Sequence, residues 1–216
     1  MSGGDWFSPI DNYCERLDAS LFSEPLNAIS NGAFLIAAFV LFMRYRAVGR
    51  RDFEVLALIA LVAVVGLGSL AFHTFANGLS MMADVMPTAV LVVTYIWVAF
   101  RRLLLWRGRS ALGAIALFFV AAFIVGMVPQ AYAFNGSIAY FPCFGVLLFL
   151  WAQLAAKQHV QAITLKKAVL VFMASLTFRS VDMQWCAVFP LGTHFLWHCF
   201  NGILLTLLVR AVLRKD

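Results

Sequence analysis

The run "FEVLALIALVAVVGLGSLAFHT", residues 53–74, carries one charged residue, Glu54, and ends on Ser69, His73 and Thr74. A helix crosses the hydrocarbon of a bilayer in about 20 apolar residues, so this run is long enough to span. Its apolar residues are continuous, not alternating with polar ones, which argues against a strand of a membrane barrel. The whole chain has the same character. Of its 216 residues 63% are hydrophobic and 12% charged, with a mean hydropathy of +0.91. Soluble domains average about 45–50% apolar and about 25% charged residues. Further apolar runs stand at about 26–43, 81–100, 110–128, 137–156, 168–189 and 191–211. The expectation is an all-α, polytopic membrane protein. It is a single seven-transmembrane helix bundle over residues 1–216, with 1–25 as an acidic extracytoplasmic N-terminal segment.

The cations set the expected orientation. Arg44, Arg46, Arg50 and Arg51 follow the first run, and Arg101, Arg102, Arg107 and Arg109 the third. Lys157, Lys166 and Lys167 follow the fifth, and Arg210, Arg214 and Lys215 the seventh. Fourteen of the sixteen Lys and Arg thus fall on one face, Arg16 and Arg179 being the exceptions. By the positive-inside rule that face and the C-terminus are cytoplasmic and the N-terminus is outside, which requires an odd number of spans. The net charge of +6 is therefore a signature of topology, and no nucleic-acid partner is expected. Residues 1–24 contain one cation, Arg16, and no apolar core of a signal peptide, so the first span is expected to direct insertion.

Few polar groups remain at membrane depth. Such groups are expensive in hydrocarbon and usually face a bundle interior or a cavity. Ser69 and His73 share one face of the second span, Asp84 opens the third, Arg179 and Asp182 lie in the sixth, and His194 and His198 open the seventh. With the expected topology, His73, Asp84, His194 and His198 lie at one depth on the outer side. The fourth histidine, His159, falls in a cytoplasmic loop. Three imidazoles with an open fourth position are a catalytic zinc arrangement. Zinc lowers the pKa of its water to about 7. Asp84 can then accept a proton and Ser69 can donate to a developing oxyanion. Two other readings stay open: histidines that only pack and hydrogen-bond, and a proton or ion pathway built from the same His and Asp groups.

These residues resemble a known family. "GLGSLAFH" with Asp84 after it, "GTHFLWH" (192–198), "YCER…EPLNAISN" in the N-terminal segment and "RSVDMQWCAVFP" in the sixth span are together similar to alkaline ceramidases, particularly bacterial-type ones. That family belongs to a superfamily of seven-span membrane hydrolases that includes adiponectin receptors. The resemblance runs in order over nearly the whole chain. It implies that His73, His194 and His198 bind Zn2+, and that Ser69 and Asp84 complete a centre hydrolysing the amide of ceramide to a sphingoid base and a fatty acid. It also implies an N-terminal calcium site, for which Asp11, Glu15 and Glu24 are the nearest counterparts, helped by Asn12 or a carbonyl near Leu17. The spacing departs from the animal pattern, and a solvated acidic loop explains the same residues. The resemblance further suggests a disulfide between Cys14 and Cys186, which topology puts outside the cytoplasm, where one is permitted.

Arg179 and Asp182, three apart, are expected to form an intrahelical ion pair, with a supporting role at the site open for Asp182. Glu24, Asn27, Ser30 and Asn31 either cap and cross-link helices or pack beside the zinc ligands. Trp185 and Trp197 fit an interfacial aromatic belt. Cys143 and Cys199 fit packing positions. The expected partners are the bilayer and a ceramide-like lipid substrate, with no obligate protein partner, and the expected location is a bacterial inner membrane with the active site outward. The alternatives are an adiponectin-receptor-like lipid sensor with a zinc site and little turnover, and a proton-coupled transporter, which the absence of repeats disfavours.

Overall fold

The computed structural model describes residues 6–49, 51–129 and 132–213. Arg50, Arg214 and Lys215, three of the cations that set the expected orientation, lie outside the described residues. The elements in chain order are α1 (Pro25–Ser30), α2 (Gly32–Val48), α3 (Phe53–Phe75), α4 (Gly78–Arg102) and α5 (Gly108–Gly126). A 3-10 turn (Ser137–Tyr140) then leads into α6 (Phe141–Ala156), followed by α7 (Ala162–Trp185) and α8 (His194–Val212). Among the described residues there is helix but no strand, only an isolated bridge between Pro9 and Asn77.

Six segments are long and apolar enough to cross a membrane: α1 with α2, α3, α4, α5, the 3-10 turn with α6, and α8. The chain is therefore an integral, multi-pass membrane protein. Helix α7 is 24 residues long but carries Lys166, Lys167, Arg179 and Asp182 and is not among the six. It starts at Ala162 and ends at Trp185, where the sequence reading has 168–189. Residues 186–193 thus form a longer connection into α8 than the tight turn expected there.

Local chemistry sets the helix ends. The Asp52 side chain accepts the Val55 N–H to cap α3, and Asn77 with Ser80 forms a reciprocal capping box on α4. Gly49 ends α2 in the left-handed conformation that glycine adopts without steric cost. The helices close into a ring. Helix α2 packs on α3 and α8, α3 on α4, α4 on α5, α5 on α6, α6 on α7, and α7 on α8. Leu41, Leu58, Val62, Leu150, Leu154 and Leu165 fill the middle of the bundle without solvent exposure. Helix α5 buries only Ala111 and leaves its other faces outward.

The two ends of the ring differ. At one, Arg102 joins the start of α3 to the ends of α4 and α8: it donates to Asp52 Oδ1 at 2.8 Å, to Glu54, and to the Val212 carbonyl. Asp52 is held below the usual carboxylate range chiefly by this guanidinium. At the other end α3 stops, α4 and α8 start, and the N-terminal segment folds over them.

A close helix contact lies near that second end. Pro87 stands inside α4 and has no N–H for the Ala83 carbonyl, four residues earlier. That carbonyl turns toward Gly68 of α3, where a Cβ would lie 2.0 Å from the oxygen. Glycine is thus what lets α3 and α4 touch, a small-residue contact of the kind that holds membrane helices together. Gly68→Ala is expected to lower stability by about 1–3 kcal/mol through overpacking. Thermal unfolding in detergent checks this, with Gly113→Ala, at a site where a Cβ meets nothing within 4 Å, as the neutral comparison.

Candidate metal centre

The centre is assembled from α3 and α8 and is braced by α1 and the N-terminal segment. His73 lies near the C-terminal end of α3, while His194 and His198 lie one turn apart at the start of α8. Each is only 1% exposed. Each offers one nitrogen, and the three nitrogens lie within 4.8 Å of one another, so the cluster can hold a metal ion.

The surroundings select the ring nitrogens. Nδ1 of His73 lies 2.6 Å from Glu24 Oε2, and a carboxylate there accepts a proton carried on Nδ1. Nδ1 of His198 lies 2.7 Å from Ser30 Oγ. The Ser30 hydroxyl already donates its hydrogen to the Asn27 carbonyl at 2.8 Å, so Ser30 accepts from His198. Both rings are thereby fixed as Nδ1–H tautomers whose Nε2 lone pairs are free for a ligand, the usual second layer of a histidine metal site. His194 is held differently. Its ring stacks on Tyr13 at 3.7 Å, and its Nδ1 is buried with no hydrogen-bond partner among the described residues. A buried polar atom left unmatched is costly, and a cation bound through that nitrogen would relieve the cost. The residues present fit a metal ion.

The chain just before His194 explains the "GTH" of the sequence. Asp182 Oδ1 accepts the N–H groups of Thr193 (2.6 Å) and His194 (2.9 Å), and Oδ2 accepts that of Cys14 (3.0 Å). Gly192 turns with φ +64°, and a Cβ there would lie 2.3 Å from Asp182 Oδ1 and 2.7 Å from Cys14 Cβ. Only glycine fits. Asp182 of α7 therefore caps α8 and sets the position of His194. It forms no ion pair with Arg179, which corrects the expected intrahelical pair. Arg179 donates to the Tyr13 hydroxyl at 3.0 Å, and its guanidinium lies over the rings of Tyr13, Tyr140 and Trp197 at 5.3–5.6 Å. Trp197, expected at an interface, is buried in this aromatic cluster, whereas Trp185 is exposed.

The Cys14–Cys186 disulfide is present and ties the N-terminal segment to the end of α7. Cys143 and Cys199 are free and half-buried. Of the three acidic residues of the expected calcium site, Glu15 and Glu24 are neighbours at the start of α1, both bonded to Asn27. Asp11 is exposed. Glu15 is buried and accepts the N–H groups of Leu26 (2.7 Å) and Asn27 (2.8 Å) at the start of α1. Glu24 is buried between His73, Arg16 and Asn27. Burial opposes its charge, but the bonds from His73, Arg16 and Asn27 outweigh that and hold its carboxyl below its ordinary range. Among the described residues the three histidines converge as a metal group and these acids do not.

Ser69 and Asp84 line a cavity of about 250 Å³ together with His73, His194, His198 and Arg179. Gly68 brings α3 against the Asp84 backbone, so the two helices present Ser69 and Asp84 side by side in the cavity wall. Further along the helices the wall is mostly apolar, with Leu91, Ile96, Leu147, Leu150, Leu205 and Val209, interrupted by Thr88, Tyr95 and Asn201. On α8 alone the lining extends from His194 to Val209, which is roughly 22 Å of helix.

Sequence reasoning singled out the three histidines, Ser69 and Asp84, and the structure brings all five to one cavity. That reasoning missed Tyr13 and the capping role of Asp182. It noted Glu24 and Ser30 with two uses open, and the structure gives them the second, beside the candidate ligands. Glu24→Gln is expected to weaken metal retention by about 10–100-fold, the usual effect of losing a partner behind a histidine ligand. Metal analysis of purified protein after graded chelation, with His198→Ala as the reference for full loss, measures it.

A comparison of the chain with protein-family models found no match, and neither did a comparison with curated proteins.

Proposed function

We propose that this chain is a zinc-dependent intramembrane hydrolase that cleaves the amide bond of ceramide-like lipids to a sphingoid base and a free fatty acid. One observation carries the reading: three buried, metal-competent histidines stand at the polar end of a long apolar cavity, with a carboxylate and a hydroxyl beside them. The sequence resemblance to alkaline ceramidases supplies the lipid class. In this reading α7 crosses the bilayer as well, its charges lying near its ends or facing inward. The bundle then has seven spans, the N-terminus and the centre lie on the extracytoplasmic side of a bacterial inner membrane, and the C-terminus is cytoplasmic.

Zinc, held by His73, His194 and His198, would act as a Lewis acid and make water acidic enough to serve as a nucleophile near neutral pH. The protein's own groups do the rest. The apolar wall from Leu91 to Val209 takes an acyl chain and excludes water from it. Ser69 donates a hydrogen bond to the carbonyl oxygen as negative charge develops there. Asp84 accepts the proton of the attacking water and returns it to the leaving amine, so one carboxylate serves as base and then acid. Arg179 adds positive charge to the same cavity.

Fatty-acid release from a panel of N-acyl sphingoid lipids by the purified protein tests the proposal. Asp84→Asn is expected to slow release about 10²–10⁴-fold and Ser69→Ala about 10²–10³-fold, while His194→Ala and chelation abolish it. Full activity in Asp84→Asn would defeat the mechanism. A zinc-loaded wild type that releases no fatty acid would favour the lipid-sensor alternative.

A further inference from the structure

The N-terminal segment contains a cage of oxygens that already holds a cation. Arg16 is 5% exposed although its charge lies close to the membrane-embedded helices. Its Nε donates to Glu24 Oε1 at 2.5 Å. Its Nη1 donates to the carbonyls of Asp18 (3.1 Å) and Ser20 (3.3 Å), and its Nη2 to the carbonyl of His73 (3.4 Å). The loop is shaped around the guanidinium: Ser23 Oγ accepts the N–H groups of Leu17 and Asp18, and Asp18 accepts that of Ser20. One carboxylate and three carbonyls are the type of donor that calcium takes, four of the six to eight oxygens it requires. Here the planar five-donor fork of arginine satisfies them instead.

We propose that the Arg16 guanidinium is the resident cation of the N-terminal cap, standing where a calcium ion would otherwise be needed. The charge that supports Glu24, and through Glu24 the His73 ring, is then part of the chain. Arg16 is a positioning residue for the metal centre, and the cap is independent of calcium. The Glu15 carboxylate is free for its other task, capping α1. The link to zinc rests on the proposed function; the cation exchange itself does not.

The test is thermal unfolding of the purified protein in detergent, with a calcium chelator or with millimolar calcium chloride, read together with zinc content. Wild type is expected to unfold at the same temperature in both. Arg16→Met leaves a buried carboxylate without its partner and is expected to lose about 10 °C in midpoint and part of its zinc. Calcium chloride or methylguanidinium should restore much of both. Arg16→Lys keeps a positive charge and should stay indifferent to calcium. If Arg16→Met can be recovered folded only when calcium is present throughout purification, that supports the exchange; failure to recover it in either condition overturns it. A wild type that calcium stabilises, or an Arg16→Met variant that unfolds like wild type without calcium, also overturns it. Absence of zinc from every sample, wild type included, would count against the hydrolase reading and leave the unfolding result intact.

Discussion

Glu24 is a carboxylate sealed between helices at 1% exposure, and the end of the bundle that holds the histidines is organised to keep it charged. Burying an isolated carboxylate is prohibitive, whereas one bonded on both oxygens is tolerated. Arg16 bonds one oxygen and the His73 ring and Asn27 bond the other. The consequence travels in both directions. Toward the surface, Glu24 requires the loop 16–23 to close over Arg16. Toward the bundle, it fixes which nitrogen of His73 carries the proton, and therefore which faces His194 and His198.

A second carboxylate does a parallel job across the site. Asp182 gathers three backbone N–H groups from two distant segments, Cys14 on one side and Thr193 with His194 on the other. The Cys14–Cys186 disulfide lies one helical turn beyond Asp182 and ties Cys14 to the end of the same helix covalently. The segment over the site is thus anchored at α7 through Asp182, the disulfide and the Arg179–Tyr13 bond, and at α3 through Arg16. Tyr13, between these anchors, is pressed onto the His194 ring. The histidine cluster is thus held by Tyr13, Glu24, Ser30 and Asp182, groups from separate parts of the chain.

Helix positions and the histidine cluster were legible because they follow from local pattern. Apolar runs mark helices, and helix order with alternating direction puts His73 beside His194 and His198. What was not legible depends on contacts remote in sequence. A spacing of three made Arg179 and Asp182 look like a pair, yet Asp182 turns to the loop at 192–194 and Arg179 to aromatic rings from the N-terminal segment, α8 and the 3-10 turn. Arg16 read as one cation in an acidic loop, and only the folded loop shows that it is buried. Trp197 read as interfacial from its place near a helix start. It neighbours His198 and shares the inward side of α8 with the aromatic cluster. Helix α7 lies outside the most apolar segments because its charges, counted along the chain, hide that Arg179 and Asp182 both find partners inside the fold. In each case the residue was noticed and its partner was not.

The central claim is that three imidazole nitrogens hold zinc at the head of the apolar cavity. X-ray absorption at the zinc edge of the purified, detergent-solubilised protein reads this directly. The account predicts one zinc per chain with nitrogen and oxygen scatterers at about 2.0–2.1 Å, an imidazole pattern from three rings and no sulfur shell. A sulfur shell at about 2.3 Å, or no zinc retained by folded protein, would contradict it.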